Sequence, residues 1–70
     1  MTDISDRLTA RVLDVLRTAE EPRSVDRIQR RLAGDGFDAA TGAIRDVCRR
    51  LDDNGAIKAR GSPPAYRIAE

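Results

Sequence analysis

The stretch that decides the fold is Ala56-Ile57-Lys58-Ala59-Arg60-Gly61-Ser62-Pro63-Pro64-Ala65-Tyr66-Arg67-Ile68-Ala69-Glu70. Hydropathy alternates on both sides of Gly61-Ser62-Pro63-Pro64. Ile57 and Ala59 fall on one face, and Lys58 and Arg60 on the other. Beyond the turn, Tyr66 and Ile68 alternate with Ala65, Arg67 and Ala69. A period of two is the signal of a strand with one covered face. Residues 56–69 therefore read as a hairpin. Pro63 and Pro64 cannot donate to a strand ladder, so they belong in its turn or on an edge. Ile57 and Ile68 are expected to cover a core supplied by the upstream chain.

Upstream the period is helical. Over residues 3–19, Ile4, Leu8, Val12, Val15, Leu16 and Ala19 fall on one face, with Asp6, Arg7, Arg11, Asp14 and Arg17 outside. Thr2 or Asp3 can cap the start. Glu21-Pro22 stops that helix, because the residue before proline avoids helical backbone. Arg23-Ser24 is a short extended link, long enough for one strand bridge. Ser24 reads as the N-cap of a second helix over 24–33, with Asp26 in its first turn and Gly34 as its breaker. Val25, Ile28 and Leu32 form its inner face. Asp38 reads as the N-cap of a third helix over 38–54, with Ala40, Ile44, Val47, Cys48 and Leu51 inside. Asn54-Gly55 ends it.

Seventy residues are enough for one domain, 1–70, with a small core. The composition argues against most chemistry. There is no His and one Cys, which leaves neither a zinc ligand set nor a Ser-His or Cys-His nucleophile, so no enzyme, cofactor or metal is expected. Lone Cys48 forms no internal disulfide, and neither a signal peptide nor a membrane-length apolar run is seen. An intracellular location, no membrane partner and no small-molecule substrate are the corresponding expectations.

Charge is nearly balanced, at +1, but unevenly spread. Residues 1–22 carry a net of −2 and residues 23–70 a net of +3. Within 56–69, Lys58, Arg60 and Arg67 meet no acid. Of the 13 basic residues all but Lys58 are arginine, a bias we read as GC-rich coding, so individual positions must carry any functional argument. On the third helix Thr41, Arg45 and Arg49 are four apart and share a face. Gly42 beside them permits close backbone approach. Arginine grips a phosphate or a guanine edge with two donors. Alternatively this face is merely solvated, with Arg45 paired to Asp46 and Arg49 to Asp52 or Asp53. Arg27, Arg30 and Arg31 form a further basic group. Ser62 can donate to a phosphate, and rigid Pro63 and Pro64 lose little entropy on binding.

Three helices, a short strand and a C-terminal basic hairpin resemble the winged helix-turn-helix superfamily, a small α+β fold that most often binds duplex nucleic acid. The cadence Ser24…Ile28…Leu32, then Ile44…Val47…Leu51…Gly55-Ala56-Ile57, carries that resemblance over the whole chain. The segment Gly61-Ser62-Pro63-Pro64-Ala65-Tyr66-Arg67-Ile68 is similar to the wing of the Z-alpha domains, which bind left-handed Z-form DNA and RNA. Those wings carry Gly-Thr-Pro-Pro, an apolar residue, Trp, a basic residue and Ile. Ser62 stands for the threonine, Pro63 and Pro64 for the prolines that touch the zigzag backbone, and Tyr66 for the tryptophan. The third helix departs from that family. Counting back from Gly55, its lysine falls at Thr41, its asparagine at Arg45 and its base-stacking tyrosine at Arg49. The segment from Gly55 to Gly61 is one residue shorter than in the family.

The resemblance implies a monomer, or a weak dimer on its target, that holds double-stranded Z-form DNA or RNA through the third helix and the wing. Expected contacts are Thr41, Gly42, Arg45, Arg49, Lys58, Arg60, Ser62, Pro63, Pro64 and Tyr66. Two other readings stay open on the residues alone. One is a sequence-specific B-DNA transcription regulator, which usually needs a dimer to read two half-sites. The other is a protein-interaction module, favoured by the near-neutral net charge.

Overall fold

The computed structural model describes residues 4–69, with side chains described from Asp6 to Ala69. The expected cap at Thr2 or Asp3, and the inward side chain of Ile4, lie outside that range. The elements are α1 (Ile4–Thr18), β1 (Arg23–Ser24), α2 (Val25–Gly34), α3 (Thr41–Asp53), β2 (Ile57–Arg60) and β3 (Ala65–Ile68). The order α1-β1-α2-α3-β2-β3 makes a small α+β fold of three helices and one antiparallel sheet, as expected. The strands lie in the order β1-β3-β2, so the last strand is central.

Each helix buries the stripe its spacing specifies. Leu8, Val12, Val15 and Leu16 of α1 meet Val25, Ile28 and Leu32 of α2 in one cluster. Ile44, Val47, Cys48 and Leu51 complete it from α3, and Ile57 and Tyr66 close it from the sheet. Ile28 and Ile44 are wholly buried. Removing such a side chain from water is worth about 1.5–3 kcal/mol. Ile57 pairs with Ile68 across the hairpin, and both pack on the core. Ala59 shares the Ile57 face yet is exposed, so the helices cover only the base of β2.

The helix ends correct three expectations. Gly34 does not break α2; it is the last helical residue, and Gly36 takes the left-handed conformation at φ +83°. The backbone bonds explain why. Gly36 N–H donates to the Ala33 carbonyl at 3.0 Å and Phe37 N–H to the Leu32 carbonyl at 2.8 Å. That pair of bonds is the Schellman closure, which requires positive φ two residues after the helix ends. The same closure ends α3, where Gly55 N–H reaches Asp52 and Ala56 N–H reaches Leu51, with Gly55 at φ +78°.

Secondly, Asp38 is not the N-cap of α3. The helix starts at Thr41, three residues later than expected, with Ala40 as an N-cap that makes no side-chain bond. Residues 37–40 stay outside the helix, with Ala40 in extended backbone; Phe37 and Ala39 pack partly buried against the core, and Gln29 Nε2 donates to the Ala39 carbonyl at 3.3 Å. Burial of two apolar side chains outweighs one cap bond. Thirdly, this shift leaves Ala40 exposed instead of inside. The first helix ends at Thr18, whose hydroxyl donates to the Asp14 and Val15 carbonyls. Ser24 caps α2 as read, accepting from Arg27 N–H at 3.4 Å.

Gly34→Ala and Gly36→Ala are expected to act in opposite directions. The first adds a methyl that meets nothing within 4 Å in a helix and raises stability by up to about 1 kcal/mol. The second forces an L side chain into left-handed backbone and lowers stability by roughly 1–2 kcal/mol. Urea unfolding of both variants checks the assignment, and a destabilised Gly34→Ala contradicts it.

Candidate nucleic-acid interface

The inner stripe of α3 fixes which residues it presents outward. With Ile44, Val47, Cys48 and Leu51 buried, Arg45 and Arg49 are exposed, one turn apart on the flank toward the hairpin. The hairpin turn spans Gly61 to Pro64, with Gly61 at φ +83° and a cis Ser62–Pro63 bond. Register carries the turn to α3 through Tyr66, which pairs with Ala59 on one side and Arg23 on the other. Tyr66 is 4% exposed and belongs to the core cluster.

These elements enclose a cleft of about 400 Å³ lined by Ser24, Val25, Asp26, Arg45, Arg49, Pro63, Pro64 and Tyr66. Arg45, Arg49, Pro63, Pro64 and Tyr66 are therefore brought together as read. Tyr66 serves as a buried wall, not as a reaching contact. Thr41 and Gly42 sit in the first turn of α3 outside the cleft, and an added Cβ at Gly42 meets no protein atom within 4 Å. Lys58, Arg60 and Ser62 are exposed on the wing and do not line the cleft. The start of α2 was missed as a lining element. Its signal was the Ser24 cap, since a capped helix start directs free N–H groups outward. Asp26 is the one carboxylate in that lining.

Charge at the site is unbalanced within the fold. The ion pairs found among the described residues are Arg17 with Asp14 at 4.0 Å and Arg31 with Asp35 at 3.5 Å. The alternative pairs of Arg45 with Asp46, and of Arg49 with Asp52 or Asp53, are not formed. Two cations at i and i+4 without a counter-ion cost a helix roughly 0.2–0.5 kcal/mol. On the outer wing Lys58 stands directly opposite Arg67, and like charges so placed also disfavour pairing. This surface is tolerated by the fold, not required by it.

Burial pushes the Tyr66 hydroxyl pKa up, with smaller raising contributions from Cys48 and Asp52, opposed by Arg49 and Arg45. Tyr66 therefore remains a neutral donor at physiological pH. Burial likewise lifts the Cys48 thiol to about 11, which keeps it a protonated core residue. Among the described residues no cluster of three His, Cys, Asp or Glu is placed to hold a metal ion, and no helix is long and apolar enough to cross a membrane. No protein-family profile, curated protein or solved structure matches the chain.

Two outcomes are expected. Cys48 and Tyr66 both have folded pKa values raised above their unfolded ones, so their contribution is intact below the unfolded values and lost as pH rises. For Cys48 that window runs from 9.0 to about 11, and thermal unfolding midpoints should fall across it. A flat profile contradicts the burial argument. Arg45→Gln with Arg49→Gln should leave unfolding free energy unchanged or raised by up to about 0.5 kcal/mol. A clear loss in denaturant titration means the two arginines hold the fold together.

Proposed function

We propose that this domain binds duplex nucleic acid and holds the left-handed Z-form backbone between α3 and the Pro63-Pro64 wing tip. The observation that carries the reading is the cleft itself. Two guanidinium groups with no ion-pair partner among the described residues share one opening with two prolines. Phosphate satisfies the forked donors of Arg45 and Arg49, two bonds to each group. The proline rings offer rigid apolar surface to the sugars and lose no rotamer freedom on binding. Ser62 extends the contact by donating to the next phosphate. Lys58, Arg60 and Arg67 add long-range attraction from the wing, and Thr41 and Gly42 let the backbone approach the first turn of α3.

Support for the Z-form is the wing, Gly61-Ser62-Pro63-Pro64-Ala65-Tyr66-Arg67-Ile68, with the prolines lining the same cleft as Arg45 and Arg49 of α3. Arginine at positions 45 and 49 replaces the side chains that the Z-alpha family uses on its helix. A guanidinium can bond phosphate at the first position and stack on an exposed base at the second. The domain acts as a binding module, with no step of covalent chemistry assigned to any residue.

The test is a fluorescence anisotropy titration against two labelled duplexes of equal length. One is mixed-sequence B-form and the other a CG repeat chemically held left-handed. Tighter binding of the left-handed duplex is expected, with affinity falling steeply as salt rises. Arg45→Gln and Arg49→Gln should each weaken it about tenfold and flatten the salt slope by about one. Equal or stronger B-form binding rejects the Z-form reading in favour of a conventional duplex binder. No binding to either duplex at low salt rejects nucleic acid altogether and points to a protein partner.

A further inference from the structure

A second basic cleft lies on the opposite flank of α2. It is lined by Val15, Thr18 and Ala19 of α1 and its connection, and by Arg23, Arg27 and Arg31. Its volume is about 110 Å³. At about 30 Å³ per water, it admits a few waters or one phosphate group. No carboxylate lines it. Arg31 is held at 3.5 Å by Asp35, an exposed pair that solvent weakens. Arg23 and Arg27 have no ion-pair partner among the described residues.

Arg23 and Arg27 gain no ion pair from the described residues. Arg27 sits in the first turn of α2, where the helix dipole disfavours positive charge. Arg27 and Arg31 repel at i and i+4. Arg23 flanks the same helix start. Arg31, in the last turn and paired with Asp35, is well placed for the helix, but Arg23 and Arg27 at its start are not, and their convergence with Arg31 on one cleft indicates an external anion. The Thr18 hydroxyl at its rim already donates to the Asp14 and Val15 carbonyls, so the arginines supply the free donors.

We infer that the α1–α2 cleft is a second phosphate site that takes the backbone of a second duplex, so that one copy of the domain holds two duplexes at once. The inference rests on the proposed duplex binding of the first cleft. A separate duplex is favoured over a continuous track by the chain itself. The two clefts share no lining residue, and they lie on either side of α2. Asp26 belongs to the first cleft, one residue from Arg27. A single strand running from Arg45 to Arg27 must pass that carboxylate.

The experiment is bridging capture. One duplex is immobilised, the full chain is added, and retention of a second, fluorescent duplex is read beside single-duplex affinity. The parent should retain the second duplex. Arg23→Gln with Arg27→Gln should keep single-duplex affinity within about threefold but lower capture at least about tenfold. Arg45→Gln with Arg49→Gln should lose the tight single-duplex affinity. A parent that binds one duplex yet captures no second one overturns the inference and leaves the first cleft standing. Undiminished capture by the Arg23/Arg27 variant also overturns it, because self-association through the first cleft then explains bridging. If only the Arg23/Arg27 variant loses single-duplex affinity, the first cleft is the wrong one and the α2 flank is the duplex site. A parent that binds no duplex overturns both.

Discussion

Burial of Tyr66 against α3 is the contact on which the site depends. The ring lies in the core beside Cys48, with Arg45, Arg49 and Asp52 near its hydroxyl. Through its strand pairing it also fixes the hairpin to β1 and, through Ser24, to the start of α2. A two-stranded hairpin alone is marginal in water. Seated by one large aromatic residue and paired on both sides of β3, it becomes a rigid arm. Its tip prolines then line one cleft with the arginines of α3. Loosening that ring would alter the cleft before it altered the helices.

Net charge conceals what the fold does with charge. A total of +1 suggests little affinity for a polyanion. The structure separates the charges by surface. Asp14 and Asp35 are engaged by Arg17 and Arg31, while the cations of the wing and the α3 flank have no ion-pair partner among the described residues. The arrangement costs a few tenths of a kcal/mol at each like-charged contact, in a domain with little stability to spare.

Much of this was legible in the sequence because it rests on periodicity and glycine. The buried stripes of the helices apart from Ala40, the packing of Ile57 and Ile68 on the core, and the stop at Gly55 follow from spacing and from backbone that only glycine adopts comfortably. Local capping rules failed where tertiary burial competed. Asp38 has the side chain of an N-cap, yet the helix starts only at Thr41, with Phe37 and Ala39 packed against the core ahead of it. Gly34 and Gly36 are two residues apart, and spacing alone did not tell which one carries the closure. The lining role of Ser24, Val25 and Asp26 depends on where β1 docks on β3, a long-range contact that no local pattern encodes. Helix spacing put Arg45 and Arg49 on one face; the absence of partners for them emerged only with side chains in place.

On the proposed function, the α3 flank and the wing tip form one binding surface. Amide shift mapping by nuclear magnetic resonance, with one equivalent of left-handed duplex, tests it most directly. The largest shifts are expected at Arg45, Arg49, Gly61, Ser62 and Ala65, around two prolines that carry no N–H. Shifts concentrated on the exposed face of α1, with α3 and the hairpin turn unmoved, would contradict it.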